Sequence, residues 1–176
     1  MTDLPLIIAA AHFAADRHRD QRRRDTVTPF INHPLALADI LVNEGGVRDP
    51  LVIAAALLHD TVEDTETTPA ELEARFGAEV AGIVAEVTDD KALPKQERKA
   101  LQIAHAAHAS PRAKLVKLAD KIANLRDLAA RPPLDWPQER RDGYVRWSAE
   151  VVNGLRGTSA ALEAVFDAEV AGFGLA

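Results

Sequence analysis

The 176-residue sequence contains no cysteine. Disulfide bonds and thiolate metal ligands are therefore excluded, and only histidine and carboxylate side chains could hold a metal ion. This absence also fits a cytoplasmic protein. No apolar run approaches the roughly 20 residues that cross a bilayer, so we expect no membrane partner. The N-terminus has an acid before its short apolar run and no basic segment, which predicts that it is not a signal peptide.

A basic excess is also missing, because 27 acidic residues outnumber 21 basic ones and the net charge is -6. General nucleic-acid binders usually carry the opposite balance, so we expect no nucleic-acid partner. Five arginines nevertheless fall within eight residues: Arg17, Arg19, Arg22, Arg23 and Arg24. This arginine cluster is compatible with a specific anionic partner and equally with a solvated face.

Strand patterns are lacking as well, whereas helix start and stop signals recur along the chain. We predict an all-α fold of about eight or nine helices, formed by a single domain over residues 1–176 with a motif-bearing part at about 9–144. The predicted helices cover about 4–20, 33–44, 50–58 or beyond, 68–77, 78–87, 94–108, 110–129, 136–155 and 159–171. Four N-caps are predicted, at Asn32, Asp49, Thr68 and Asp135, and Thr68 with Glu71 forms a capping-box pattern.

The stretch LVIAAALLHDTVED begins with an unbroken apolar run, 51–58, which predicts a helix buried on most sides. If this helix continues for one more turn, His59 stacks over Glu63 and Asp60 over Asp64. An imidazole beside a carboxylate is a ready pair of ligands for a divalent metal, and two further carboxylates could move protons. The alternative is an ordinary amphipathic helix end that emerges into water.

The predicted helix 110–129 has a core stripe of Leu115, Leu118, Ile122 and Leu125. Its three lysines, Lys114, Lys117 and Lys121, are expected to solvate a flank. Asp120 and Asn124 lie opposite the stripe, beside Ala113 and Val116, and could border a cleft. The other interpretation is that they face solvent.

His33, the pair His59-Asp60 and Asp120 are ligand-type residues on three separate predicted helices. This H…HD…D order resembles the signature of the HD superfamily of metal-dependent phosphohydrolases. Three further similarities point to RelA/SpoT-type alarmone hydrolases. HRDQRRR with PFINH resembles HxxQxRK…PYxxH, LLHDTVEDT resembles HDxxED, and KLADKIANLRDL resembles LADxxxNxR. The resemblance extends from about Ala9 through Arg140, and the length matches small stand-alone hydrolases of the metazoan SpoT homologue type.

This resemblance implies hydrolysis of the 3′-pyrophosphate of guanosine tetra- and pentaphosphate (ppGpp and pppGpp), a small-molecule nucleotide substrate, to GDP or GTP plus pyrophosphate. It implies one Mn²⁺ ion, with His33, His59, Asp60 and Asp120 as its ligands. Glu63 and Asp64 match the pair that orients and deprotonates the attacking water. Arg23 and Arg24 match the pair that packs on guanine, and Asn124 matches a ribose contact. Candidates for the remaining phosphates are Lys95, Arg98, Arg140 and Tyr144, which could equally be ordinary helix-surface residues.

Two positions depart from the family pattern. Phe30 replaces a tyrosine and removes one hydroxyl, and Arg24 replaces a lysine and changes the geometry of the charge. Both departures concern substrate preference rather than hydrolysis. Two competing hypotheses remain: a metal-dependent phosphatase for another nucleotide, such as NADPH with its 2′-phosphate, and a non-catalytic nucleotide-binding module.

Overall fold

The structure is a computed structural model that describes residues 3–175. Within that range the all-α prediction is confirmed, because the chain forms helices and no strand. Nine helices have eight or more residues, and a tenth, α4, has four. A π-helical segment, Ile40–Glu44, extends α2. The helices are α1 (Leu4–Arg17), α2 (Asn32–Asp39), α3 (Pro50–Leu58), α4 (Thr61–Asp64), α5 (Pro69–Phe76), α6 (Ala78–Val87), α7 (Lys95–Ala106), α8 (Pro111–Ala130), α9 (Gln138–Asn153) and α10 (Ala160–Gly172).

Helix α3 lies at the centre of the core and packs against α1, α2, α6 and α8. All its residues from 52 to 58 are buried. A helix that is apolar on every side must be enclosed by other elements, which explains this position. Burial of a leucine such as Leu58 contributes about 1.5–3 kcal/mol, so α3 anchors the elements around it.

Two predicted N-caps are confirmed. The Asp49 carboxylate accepts a hydrogen bond from the Leu51 amide at 3.0 Å. The Thr68 hydroxyl accepts one from the Glu71 amide at 3.2 Å. The Glu71 carboxylate forms an ion pair with Arg17 at 2.5 Å, which fixes the end of α1 against α5.

The other two predicted N-caps are wrong. Asn32 is the first residue of α2, and the chain already turns before it, because the Asn32 amide donates to the Pro29 carbonyl at 3.2 Å. Asp135 caps nothing, since α9 begins only at Gln138. A residue that precedes proline disfavours the helical conformation, so Pro137 delays the helix and leaves Trp136 to pack into the core.

The expectation that all three α8 lysines solvate a flank is wrong as well. Lys117 and Lys121 are 8% and 4% exposed, and Lys114 alone is only half-buried. Helix α9 packs along α8 and places the Trp147 ring 4.5 Å from the Lys121 ammonium. Two buried cations therefore lie beside Asp120.

Among residues 3–175, none of the helices combines the length and the apolar character that crossing a membrane would require.

Candidate active site

A cleft of about 560 Å³ opens between the ends of α3 and α4, the helices α7, α8 and α9, and residues 18–31, which we call the arginine loop. Every residue that the sequence predicts for the site lines this cleft. They are Arg23, Arg24, His33, His59, Asp60, Glu63, Asp64, Lys95, Arg98, Asp120, Asn124, Arg140 and Tyr144. Asp120 and Asn124 thus border a cleft rather than open solvent, while the chemical roles of all these residues stay predictions.

Four of these residues converge at one end of the cleft and form what we call the histidine–aspartate corner: His33, His59, Asp60 and Asp120. His33 Nε2 lies 3.2 Å from Asp120 Oδ1 and 3.8 Å from Asp60 Oδ2. His59 Nε2 lies 3.0 Å from Asp60 Oδ2 and 4.0 Å from Asp120 Oδ1. The candidate ligand atoms of His33, His59 and Asp60 all lie within 4.8 Å of one another.

The turn after α3 sets the orientation of His59. Helix α3 ends at Leu58, and the chain turns through His59 and Asp60 before α4 begins, so one uninterrupted helix does not carry all four polar residues. The His59 Nδ1–H donates to the Ala56 carbonyl at 2.8 Å. This bond leaves Nε2 with its lone pair in the neutral imidazole, and Nε2 is buried without a hydrogen-bond partner.

His59 Nε2 and the carboxylates of Asp60 and Asp120 together form a set of metal-ligating atoms that fits a divalent cation. Burial lowers the pKa of His59, but the carboxylates of Asp60 and Asp120 outweigh this effect and raise it to about 9. Burial would raise the pKa of Asp120, yet Lys121 and His33 hold it well below its usual range. The carboxylates are therefore ionised at neutral pH, and a cation that binds must displace a proton from His59.

The two acids of α4 have different surroundings. Glu63 Oε2 accepts a hydrogen bond from the Asp89 amide at 3.1 Å, and Oε1 lies 3.8 Å from Arg98 Nη1. Burial raises the pKa of Glu63 to about 7, although the bond from the Asp89 amide opposes the shift. The Asp64 carboxylate instead pairs with Lys91. Glu63 is thus the acid whose protonation changes near neutral pH.

The arginine loop is tied to the histidine–aspartate corner through one amide. Arg23 donates to Asp127 Oδ2 at 2.8 and 3.0 Å and to Asn124 Oδ1 at 2.8 Å. Asn124 Nδ2 in turn donates to Asp120 Oδ1 at 2.6 Å. Arg23 is therefore held in place rather than free in solvent, whereas Arg19 is exposed, as a solvated face would require.

A second group of cations lines the cleft around the rings of Trp136 and Trp147. The Arg24 and Arg140 guanidinium groups lie 5.1 and 4.4 Å from the Trp136 ring centre. The Lys99 ammonium lies 4.6 Å from the Trp147 ring. Burial, together with Arg140 and Arg24, lowers the pKa of Lys95. Such a group of cations favours a polyanionic ligand, which would relieve their mutual repulsion.

Several lining residues were missed by sequence reasoning, namely Gln102, Asp89, Lys99, Lys117, Lys121, Trp136 and Trp147. Helical spacing could have revealed one of them. Lys117 precedes Asp120 by three residues and Asn124 by seven, which places all three on one face of α8. The tryptophans give no such signal, since aromatic residues more commonly belong to the core.

A family profile described as an HD domain matches residues 10–146. The guanosine-3′,5′-bis(diphosphate) 3′-pyrophosphohydrolase MESH1 of Xenopus tropicalis is 58% identical over 167 residues, which cover 94% of this chain and 93% of that protein. The Homo sapiens protein of the same name is 57% identical and covers 89% of this chain and 88% of its own. A solved structure described as a metazoan ortholog of SpoT that hydrolyzes ppGpp and plays a role in starvation responses has a TM-score of 0.93, at 50% identity over 97% of both chains. A crystal structure of lmo0812 from Listeria monocytogenes EGD-e has a TM-score of 0.68 at 31% identity, over 82% of this chain and 97% of that one.

Proposed function

Since the chain belongs to the HD-domain family, we propose that it is a metal-dependent guanosine-3′,5′-bis(diphosphate) 3′-pyrophosphohydrolase. It hydrolyses ppGpp, and also pppGpp, to GDP or GTP plus pyrophosphate. The observation that carries this proposal is the convergence of the histidine–aspartate corner at the end of a cationic cleft, in a chain more than half identical to proteins named for this reaction.

The corner residues would hold one Mn²⁺ ion. Two imidazole nitrogens and two carboxylates suit a hard-to-borderline ion, and four protein ligands leave room for water and a phosphate oxygen. When bound, such an ion makes a water molecule acidic near neutral pH and polarises the phosphoryl group. His59 contributes its Nε2, because Nδ1–H is committed to the Ala56 carbonyl.

Glu63 is our candidate for handling the proton of the attacking water. The Asp89 amide fixes one of its carboxylate oxygens, and its pKa of about 7 lets it accept a proton under ordinary conditions. The water oxygen forms a bond to phosphorus while the bond from phosphorus to the 3′ oxygen breaks. The 3′ oxygen takes up a proton to become the hydroxyl of GDP or GTP, and pyrophosphate leaves. Asp64 supports this arrangement, since its backbone carbonyl accepts a 2.6 Å bond from Gln21 Nε2 that holds α4 in place.

The remaining cleft residues would bind the nucleotide. Asn124 lies next to Asp120, where a ribose edge would follow the scissile phosphate. Arg24 lies over Trp136, and guanidinium and indole planes both stack on a purine. The remaining phosphates would contact the second cation group, in which we include Lys95, Arg98 and Arg140, together with the Tyr144 hydroxyl.

One experiment tests this function directly: incubation of the purified chain with Mn²⁺ and ppGpp, with products identified by ³¹P NMR and anion-exchange chromatography. We expect GDP and pyrophosphate in equal amounts. Release of orthophosphate alone, or no turnover while NADPH is dephosphorylated, would refute the assignment. A His105→Ala variant is a suitable control, because His105 is exposed and lies outside the cleft.

A further inference from the structure

Lys117 is a buried cation that has no partner among the residues the structure describes. Its side chain is 8% exposed and lines the cleft. Of the two buried lysines of α8 in the range 3–175, side-chain hydrogen bonds and an ion pair are found for Lys121 and not for Lys117. Burial, and then the nearby charge of Lys121, lower the pKa of Lys117. A buried ammonium without a hydrogen-bond acceptor is costly even when carboxylates lie nearby, so an acceptor that arrives from outside would stabilise it.

The neighbouring buried lysine shows what a compensated position looks like in the same helix. Lys121 Nζ donates to Gln102 Oε1 at 3.0 Å and to Asp120 Oδ2 at 3.1 Å. The Trp147 ring covers it at 4.5 Å. The Lys121 ammonium is thus engaged within the protein by Gln102, Asp120 and the Trp147 ring. Lys117, one turn earlier in α8, has no such engagement.

The position of Lys117 indicates which ligand group it would contact. It precedes Asp120 by three residues and therefore lies on the same face of α8 as that corner residue. Asp89, Asp120 and Glu63 lie close enough to oppose the lowering of its pKa, and two of these, Asp120 and Glu63, are the proposed metal ligand and proton acceptor. A phosphoryl group that enters this end of the cleft meets several carboxylates, and it needs a positive group beside them.

We propose that the Lys117 ammonium forms an oxyanion subsite that donates hydrogen bonds to a non-bridging oxygen of the phosphoryl group being cleaved. This inference rests on the proposed function and adds to it a residue that contacts the reacting group. Lys117 keeps its proton throughout. Negative charge on the non-bridging oxygens is stabilised while the bond from water forms and the bond to the 3′ oxygen breaks.

A competing account is that Lys117 only neutralises the acids around it. In that case its removal changes metal binding and leaves the affinity for a phosphate anion unaltered. An oxyanion subsite predicts the opposite, because the ammonium then contacts the anion itself. Binding of inorganic phosphate to the Mn²⁺-loaded chain separates the two accounts without requiring turnover.

The test compares wild type with Lys117→Met and Lys117→Gln, and uses Lys114→Met as the matched control. Lys114 lies one turn away in the same helix and does not line the cleft. We expect both Lys117 variants to retain bound Mn²⁺ and to raise the Kd for inorganic phosphate roughly tenfold or more, measured by titration calorimetry. On ppGpp, kcat should fall by about 10² to 10³, while Lys114→Met stays within about twofold of wild type.

Three results would overturn the inference. The first is phosphate affinity in a folded Lys117 variant within about threefold of wild type, and the second is no phosphate binding by wild type. The third is loss of Mn²⁺ in parallel with activity. Two variants are included so that a folding failure of Lys117→Met still leaves Lys117→Gln to decide. If wild type releases no pyrophosphate from ppGpp, the proposed function fails, whereas the phosphate titration still decides the role of Lys117.

Discussion

His33 Nε2 lies 3.2 Å from Asp120 Oδ1, although α2 and α8 carry these residues far apart in the sequence. Both helices pack on α3, which supplies His59 and Asp60 at its end. The core helix therefore sets the distance between candidate ligands that lie far apart in the sequence.

Ligand and proton-carrier roles should separate by mutation. We expect His59→Ala and Asp60→Ala to lose bound Mn²⁺ and turnover together, because each removes a ligand atom from the corner. Glu63→Ala should retain Mn²⁺ and lower kcat by about 10² to 10⁴, as loss of a general base does. Metal content by atomic absorption and steady-state rates check this. Equal metal loss in all three variants would contradict the division of roles.

The rate should depend on pH through Glu63. Its raised pKa of about 7 means that it is protonated in acid, and a protonated carboxyl cannot accept a proton from water. We therefore expect kcat/KM to rise about tenfold per pH unit below pH 7 and to level off above it. Glu63→Gln should abolish this limb, while Glu66→Gln, at an exposed position nearby, should preserve it. A profile that is flat from pH 5 to pH 8 would count against Glu63.

Arg23 should act on substrate binding more than on chemistry. Its guanidinium contacts Asp127 and Asn124 together, and a lysine ammonium cannot reproduce that fork. For Arg23→Lys we expect KM for ppGpp to rise about tenfold, with kcat within about threefold of wild type. The control is Arg19→Lys, since Arg19 is exposed and outside the cleft. A fall in kcat alone would assign Arg23 to the chemical step instead.

Gly154 should tolerate no side chain. A Cβ there would lie 2.6 Å from Ala106 Cβ and 3.0 Å from the Ala107 amide nitrogen, where α9 ends against α7. Gly154→Ala should lower the free energy of unfolding by about 1–3 kcal/mol in urea denaturation. Gly143→Ala, within α9 and with open space around it, should instead raise it by about 0.5–1 kcal/mol. Equal changes in the free energy of unfolding for the two variants would show that helix propensity, and not the close contact with α7, determines the stability at both positions.

Hydrophobic runs and capping residues in the sequence predicted much of the fold, because both act within or next to a single helix. The apolar run 51–58 required enclosure, and Asp49 and Thr68 cap helices as their side chains allow. Asp135 does not cap a helix because Pro137 disfavours the helical conformation of Trp136, and the helix begins only at Gln138.

The order of the motifs along the sequence was enough to predict that His33 and Asp120 belong to one candidate site, and the structure brings them together. Lys117 and Lys121 were assigned to solvent because lysines are seldom buried. Their burial depends on α9 packing along α8, a contact between elements that the sequence of α8 alone does not contain. The contact between Trp147 and Lys121 could not be predicted for the same reason, because it also joins α9 to α8.

The break between α3 and α4 has a consequence for how the protein behaves without its ion. Where the helix ends, the Leu58 carbonyl accepts from the Thr61 hydroxyl at 2.7 Å and the Ala56 carbonyl accepts from His59 Nδ1, so the turn satisfies its own polar groups. Within residues 3–175, these bonds hold the turn in shape through groups of the protein itself. Treatment with a chelator should therefore switch the enzyme off while its circular dichroism spectrum stays helical, and returning Mn²⁺ should revive it without any refolding step.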